Sequence, residues 1–190
     1  MTNLAPIIVF CYNRPWHVAQ TLEALSRNEL SDQSILYIYC DGPKADASDE
    51  QRQKINDVRQ VVRKRQWCKE VHVVEREYNV GLMNNIVGAV TEIVNQYGRV
   101  ITMEDDIITS RGYLRYMNDA LELYQNDEQV MHISGYMWPH KRRLPDTFFY
   151  EVPYPGGGWA TWQRAWRHYT DDIKLLYDYW CTRWDEFNKF

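Results

Sequence analysis

Strand-like runs at residues 7–11, 35–40, 71–74 and 100–103 alternate with longer stretches whose apolar residues recur at helical spacing. That alternation most constrains the fold. Two adjacent strands separated by a helix-length segment pair in parallel through a crossover, and such crossovers are right-handed. The sequence therefore predicts an α/β fold, a mostly parallel sheet flanked by helices.

The helical stretches carry their own boundary signals. Pro15 and Trp16 open a helix with Val18, Leu22 and Leu25 on one face, and proline suits a first turn. Ser48 and Gln51 have the spacing of a capping box ahead of a polar helix that runs to about residue 66. Ile86, Val90 and Ile93 mark one face of a helix over 81–97, closed by Gly98. Further elements are expected as a helix over 110–124, a short strand over 130–134, a strand over 148–152, and helices over 159–169 and 171–184. An irregular basic stretch, 136–144, and a sharply bending loop, 153–158, separate them. Trp162 and Trp166, one helical turn apart, read as core residues.

A chain of 190 residues is the size of one domain with a substantial core. Its net charge of −4 and the lack of a basic stripe argue against a nucleic-acid partner. No segment approaches the ~20 apolar residues of a membrane span, and residues 1–5 lead into the first strand without a signal-peptide pattern. A soluble, cytoplasmic protein is the expectation, with Cys11, Cys40, Cys68 and Cys181 as reduced thiols of no assigned chemistry. The sequence is still aromatic at Trp184, Phe187 and Phe190, which reads as a chain that stops short of its full length.

In an open parallel sheet, ligands bind beyond the carboxyl ends of the strands. Those ends carry Tyr12-Asn13-Arg14, Asp41-Gly42, Asn79-Val80-Gly81 and the acidic triplet Glu104-Asp105-Asp106. Three adjacent carboxylates repel one another. They suit a hard divalent cation such as Mg²⁺ or Mn²⁺, or they form a solvated turn that leads into the next helix. Asp106, farthest from the strand, is the best single metal candidate. Arg14 either grips a phosphate or lies on the surface. Asp41 either accepts from a base or ribose or simply closes an Asp-Gly-Pro turn. His140 and His168 are weaker metal candidates, read as neither ligand nor base.

Taken in order, these residues resemble the nucleotide-sugar-dependent glycosyltransferases of the GT-A fold. Residues 6–15 resemble the first strand and nucleotide loop of that group, and Tyr39-Cys40-Asp41-Gly42 its second strand with a base-binding aspartate. Residues 79–85, Asn-Val-Gly-Leu-Met-Asn-Asn, resemble a turn and helix start of the family-2 enzymes. Residues 100–107 are similar to the Glu-Asp-Asp metal motif of the N-acetylglucosaminyltransferase I group, and 155–162 to its acceptor-side glycine-tryptophan element. The resemblance implies that Asp106 ligates Mn²⁺ or Mg²⁺ and that Glu104 and Asp105 hold the ribose and nearby groups. Asn13, Arg14, Asp41 and Gly81 would contact the nucleotide, and Gly157, Gly158 and Trp159 would line the sugar or acceptor pocket. It implies a single domain, with residues 1–107 as the nucleotide-binding half and 108–190 as a partial acceptor-side half. The implied partners are a nucleotide-diphosphate sugar donor and a glycan or other hydroxyl acceptor, as in polysaccharide biosynthesis. The implied reaction is an inverting sugar transfer.

That group places its general base in a later Trp-Asp element. Here the pair is Trp184-Asp185, so Asp185 is a weak candidate and the base is expected beyond residue 190. Asp171 and Asp172 read as helix caps. Two rivals stand beside the transferase: a non-catalytic sugar- or nucleotide-binding domain, and a sugar-phosphate nucleotidyltransferase. The second would want a glycine-rich phosphate loop after the first strand, and residues 11–16 contain no glycine.

Overall fold

The five residues Ile7–Cys11 (β1) are all buried. Ile7, Val9 and Cys11 face one apolar cluster while Ile8 and Phe10 face another, the two-residue alternation of a strand covered on both sides. In the computed structural model, which describes residues 4–137, 141 and 156–183, β1 is central. It pairs in parallel with Ile35–Cys40 (β2) on one edge and Arg99–Glu104 (β4) on the other, and Glu70–Glu75 (β3) pairs in parallel outside β2.

Helices cover both faces. Pro15–Ser26 (α1), Asp49–Val62 (α2) and Tyr113–Leu123 (α4) supply Val18, Leu22, Val58, Val62, Leu114 and Met117 to the layer behind Ile7 and Val9. Leu82–Tyr97 (α3) supplies Ala89, Val90, Ile93 and Val94 to the layer behind Ile8 and Phe10. The expected capping box of α2 is present. The Ser48 hydroxyl accepts from Gln51 N–H and the Gln51 side chain accepts from Ser48 N–H. Beyond α4 lie Ile133–Ser134 (β5), Trp159–Trp162 (β6), the single turn Gln163–Trp166 (α5) and Ile173–Cys181 (α6).

The six-stranded sheet runs β3-β2-β1-β4-β6-β5, with β6 antiparallel to both β4 and β5. The chain thus builds outward from β1 to β3 and then returns to the other side of β1. Between β1 and β4 the strand order reverses, and such a switch point opens a crevice at the carboxyl ends.

Several expected boundaries change. Residues 159–169 are not one helix: Trp159–Trp162 is a strand, because pairing with the exposed edge of β4 satisfies its backbone groups where a helix would leave that edge open. Trp162 is buried, its indole N–H donating to Leu121 O at 3.1 Å, while Trp166 is half-buried and stacks between Trp159 and Tyr169. α4 begins at Tyr113, not at 110, and α6 spans Ile173–Cys181 with Asp172 as its cap. The expected strand over 148–152, residue His140 and the pair Trp184-Asp185 lie outside the described residues. Among those described, no helix is long and apolar enough to cross a membrane.

Candidate functional site

At the switch point lies a cavity of about 380 Å³. Six of the residues singled out from the sequence line it: Asn13, Arg14, Asp41, Gly81, Glu104 and Asp105. Asp106 hangs at its edge, joined to Arg14. Gly157, Gly158 and Trp159 stand apart from the cavity, on the far side of β4, where Trp159 pairs with Thr102.

The triplet separates into three environments. Asp105 is buried and held from three directions: its carboxylate accepts from the Arg14 guanidinium and from the Tyr12 backbone N–H, and its carbonyl accepts from the Thr21 hydroxyl at 2.8 Å. Asp106 is nearly half exposed and accepts from Arg14 Nη1 at 3.0 Å. Glu104 ends β4 half-buried, with no hydrogen bond or ion pair among the described residues.

These placements set the electrostatics. Burial, then the adjacent charges of Asp106 and Asp105, push the Glu104 carboxyl above its usual range. Burial also raises Asp105 despite Arg14, whereas the bond to Asp105 chiefly raises the Arg14 guanidinium. The two partners shift in directions that look inconsistent, but Asp105 is almost wholly desolvated and Arg14 is 42 % exposed, so burial dominates only for the acid. One arginine thus faces three carboxylates. Local negative charge is left over, concentrated where Glu104 and Asp106 approach solvent.

That surplus fits a hard cation. No three His, Cys, Asp or Glu side chains converge as ligands among the described residues. A divalent ion here would take one or two carboxylates and complete its shell from water or ligand oxygens, the usual manner of Mg²⁺ at phosphates. Glu104, and Asp106 once released from Arg14, are the solvent-facing carboxylates that could serve.

Asp41 presents a different geometry. Its Oδ1 accepts from the backbone N–H of Gly42 at 2.9 Å and of Val80 at 3.0 Å, and its Oδ2 from Gly81 N–H at 3.1 Å and Asn79 Nδ2 at 3.0 Å. A carboxylate has about four acceptor positions, and here all four are filled. The side chain clamps the end of β2 to the loop that starts α3. Gly42 makes the clamp possible, since a Cβ at that position would lie 2.5 Å from the Tyr78 carbonyl carbon.

Beneath the cavity, Cys11 and Cys40 are paired across β1 and β2 with their sulfurs 3.3 Å apart. Gly158, just before β6, has φ +83° and lies against Tyr113, whose hydroxyl would be 2.3 Å from an added Cβ.

Among the lining residues that were not expected as ligands are Lys44 and Asn85. Lys44 sits in an ordinary polar turn and gave no signal. Asn85 did carry one. It is a buried amide one turn above Ala89, on the otherwise apolar face of α3.

No family model matches the sequence, and neither does any curated protein. Among solved structures the chain is similar to S. aureus TarS, at 15% identity and a TM-score of 0.43 over 69% of this chain, and to TarS 1-349, at 16% identity and a TM-score of 0.46 over the same share. The chain spans 21% and 34% of the lengths of those two structures.

Proposed function

We propose that the switch-point cavity binds a nucleotide-diphosphate sugar and that the domain belongs to a glycosyltransferase, moving the sugar to an acceptor hydroxyl with inversion at the anomeric carbon. The observation that supports this best is the convergence of four separate strand ends on one cavity, with a surplus of carboxylate at one side and Arg14 and Lys44 on its wall. A nucleotide lying across the carboxyl ends of β1 and β2 would bring its diphosphate toward Arg14 and the triplet, because β4 neighbours β1.

Arg14 bonds Asp105 and Asp106, and its guanidinium can grip a phosphate oxygen when a cation takes over Asp106. Bound beside Glu104 and Asp106, Mn²⁺ or Mg²⁺ would supply Lewis acidity to the departing diphosphate. By the resemblance, Gly157, Gly158 and Trp159 would line the sugar or acceptor side, although they lie across β4 from the cavity. The general base is unassigned. Asp172 is occupied as the cap of α6, accepting from Leu175 N–H at 3.0 Å, and that favours one second reading, a binding domain without turnover of its own.

Calorimetric titration with uridine and other nucleoside diphosphates in the presence of Mn²⁺ tests the first reading. Binding that weakens at least tenfold in Asp106→Ala is expected. No binding by the wild type, or binding indifferent to both Mn²⁺ and Asp106→Ala, would overturn it. Release of nucleoside diphosphate from the donor sugar separates an enzyme from a binding domain.

A further inference from the structure

Asn85 is 2% exposed, and its Oδ1 is buried without a hydrogen-bond partner among the described residues. Its Nδ2 makes no bond to protein among the described residues either. A buried amide oxygen left uncommitted is rare in a folded protein and needs a reason. This one lines the nucleotide cavity, at the first turn of α3, where its backbone N–H bonds Gly81 O at 3.0 Å.

The other polar groups of that wall are accounted for. Asp41 has its four acceptor positions filled, Asn79 donates to Asp41 and to Gly42 O, and Asp105 is held by Arg14 and Tyr12. Asn13 and Glu104 are only partly buried and can be hydrated. The Asn85 Oδ1, by contrast, is buried with no partner among the described residues and bears the desolvation cost of an unmade bond. Rotation about the last side-chain torsion, which is soft for an amide, turns either its oxygen or its nitrogen toward the cavity. Tyr12 and Leu82 line the same cavity.

We propose, resting on the nucleotide reading of this cavity, that Asn85 is the residue that reads the nucleobase, pairing its amide oxygen and nitrogen with adjacent N–H and acceptor groups on the base edge, while Asp41 positions the loop and does not touch the base. A planar edge that offers one donor beside one acceptor matches an amide in two parallel hydrogen bonds.

The test compares wild type, Asn85→Leu and Asp41→Asn for binding of uridine, cytidine, adenosine and guanosine diphosphates, and of inorganic pyrophosphate as a probe without a base, all with excess Mn²⁺. Leucine has nearly the shape of asparagine and removes the orphaned acceptor, so the variant melts at the wild-type temperature or above. It is expected to lose the wild type's preference among the four bases and about tenfold or more in affinity for the preferred one, with pyrophosphate affinity unchanged. Asp41→Asn is expected to weaken all nucleotides alike and to keep the order of preference. Should Asn85→Leu fail to fold, Asn85→Ala repeats the measurement. Unchanged base preference in a folded Asn85 variant overturns the assignment and leaves the nucleotide reading intact, as does an equal loss for pyrophosphate. A wild type that binds none of the four nucleotides overturns both.

Discussion

Replacing Asp41 tests whether that side chain acts through the backbone it holds. Asp41→Ala removes four hydrogen bonds of 2.9 to 3.1 Å, three of them to backbone N–H groups. Bonds to a charged acceptor contribute ~1.5–3 kcal/mol each, but they do not add, and only the Gly42 end is fully buried. Water can reach Asn79, Val80 and Gly81, which are half-buried. A net loss of about 3 kcal/mol is therefore expected, a large share of the ~5–15 kcal/mol of a typical domain. Asp41→Asn keeps the shape but sets an NH₂ against two donors, and about 2–3 kcal/mol is expected for it. Urea unfolding followed by tryptophan fluorescence reads both. With a slope of ~1–3 kcal/mol per molar urea, the alanine midpoint should fall by about 1–3 M. Amide exchange at Val80 and Gly81 should quicken more than in the core of β1. An Asp41→Asn variant within ~0.5 kcal/mol of wild type, with exchange at those two amides unchanged, would show that the clamp reasoning is wrong.

Gly158→Ala forces a side chain into φ +83° and against the Tyr113 hydroxyl, so a loss of about 2–4 kcal/mol is expected by thermal melting. Tyr113→Phe removes a buried hydroxyl that has no hydrogen-bond partner among the described residues. Alone it should be neutral or stabilising, and combined with Gly158→Ala it should recover part of the loss. Arg14→Gln leaves Asp105 buried without its cation. Because Arg14 is itself 42 % exposed, the ~3–5 kcal/mol of a broken buried pair shrinks to about 1–3. Millimolar Mn²⁺ should restore part of the melting temperature, and equal melting with Mn²⁺ and with EDTA would contradict that. Burial pushes the Cys68 thiol up to about 12. The unfolded thiol loses its proton near ~8.5, so above that pH the folded state binds more protons. The stability due to this group is fully present below ~8.5 and declines as pH rises toward 12, by up to ~1.4 kcal/mol per pH unit. The slope of stability against pH should be shallower in Cys68→Ala, and identical slopes would refute the account.

Much of the fold was legible because local chemistry and tertiary packing agree. The capping box at Ser48, the proline at the start of α1 and the two-residue alternation in β1 each reflect a rule that neighbours in sequence satisfy alone. Trp159–Trp162 shows where that agreement ends. Four residues cannot establish a period, and the two tryptophans, with Trp166 one turn farther on, match a helix as well as a strand. The vacant edge of β4, more than fifty residues upstream, decides the matter. The site divides similarly. Its residues could be found from the strand ends, since a parallel sheet gathers those ends. Their roles could not, because lone-pair occupancy at Asp41, burial of Asp105 against exposure of Asp106, and the orphaned amide of Asn85 depend on partners brought from elsewhere in the chain.

The Arg14–Asp106 contact joins residues 92 apart in sequence, whereas the Asp41–Val80 clamp spans 39 and the Cys11–Cys40 contact 29. Loop closure therefore orders the assembly of the crevice. β1, β2 and β3 with their helices can form from shorter-range pairings, but the wall made by the triplet exists only after β4 has docked on the far side of β1. A partly folded chain would carry Asp41 and Asn79 already clasped and lack the carboxylate wall of the cavity. Occupancy of the cavity then reports on the whole fold, and its loss on heating should coincide with global unfolding, not precede it.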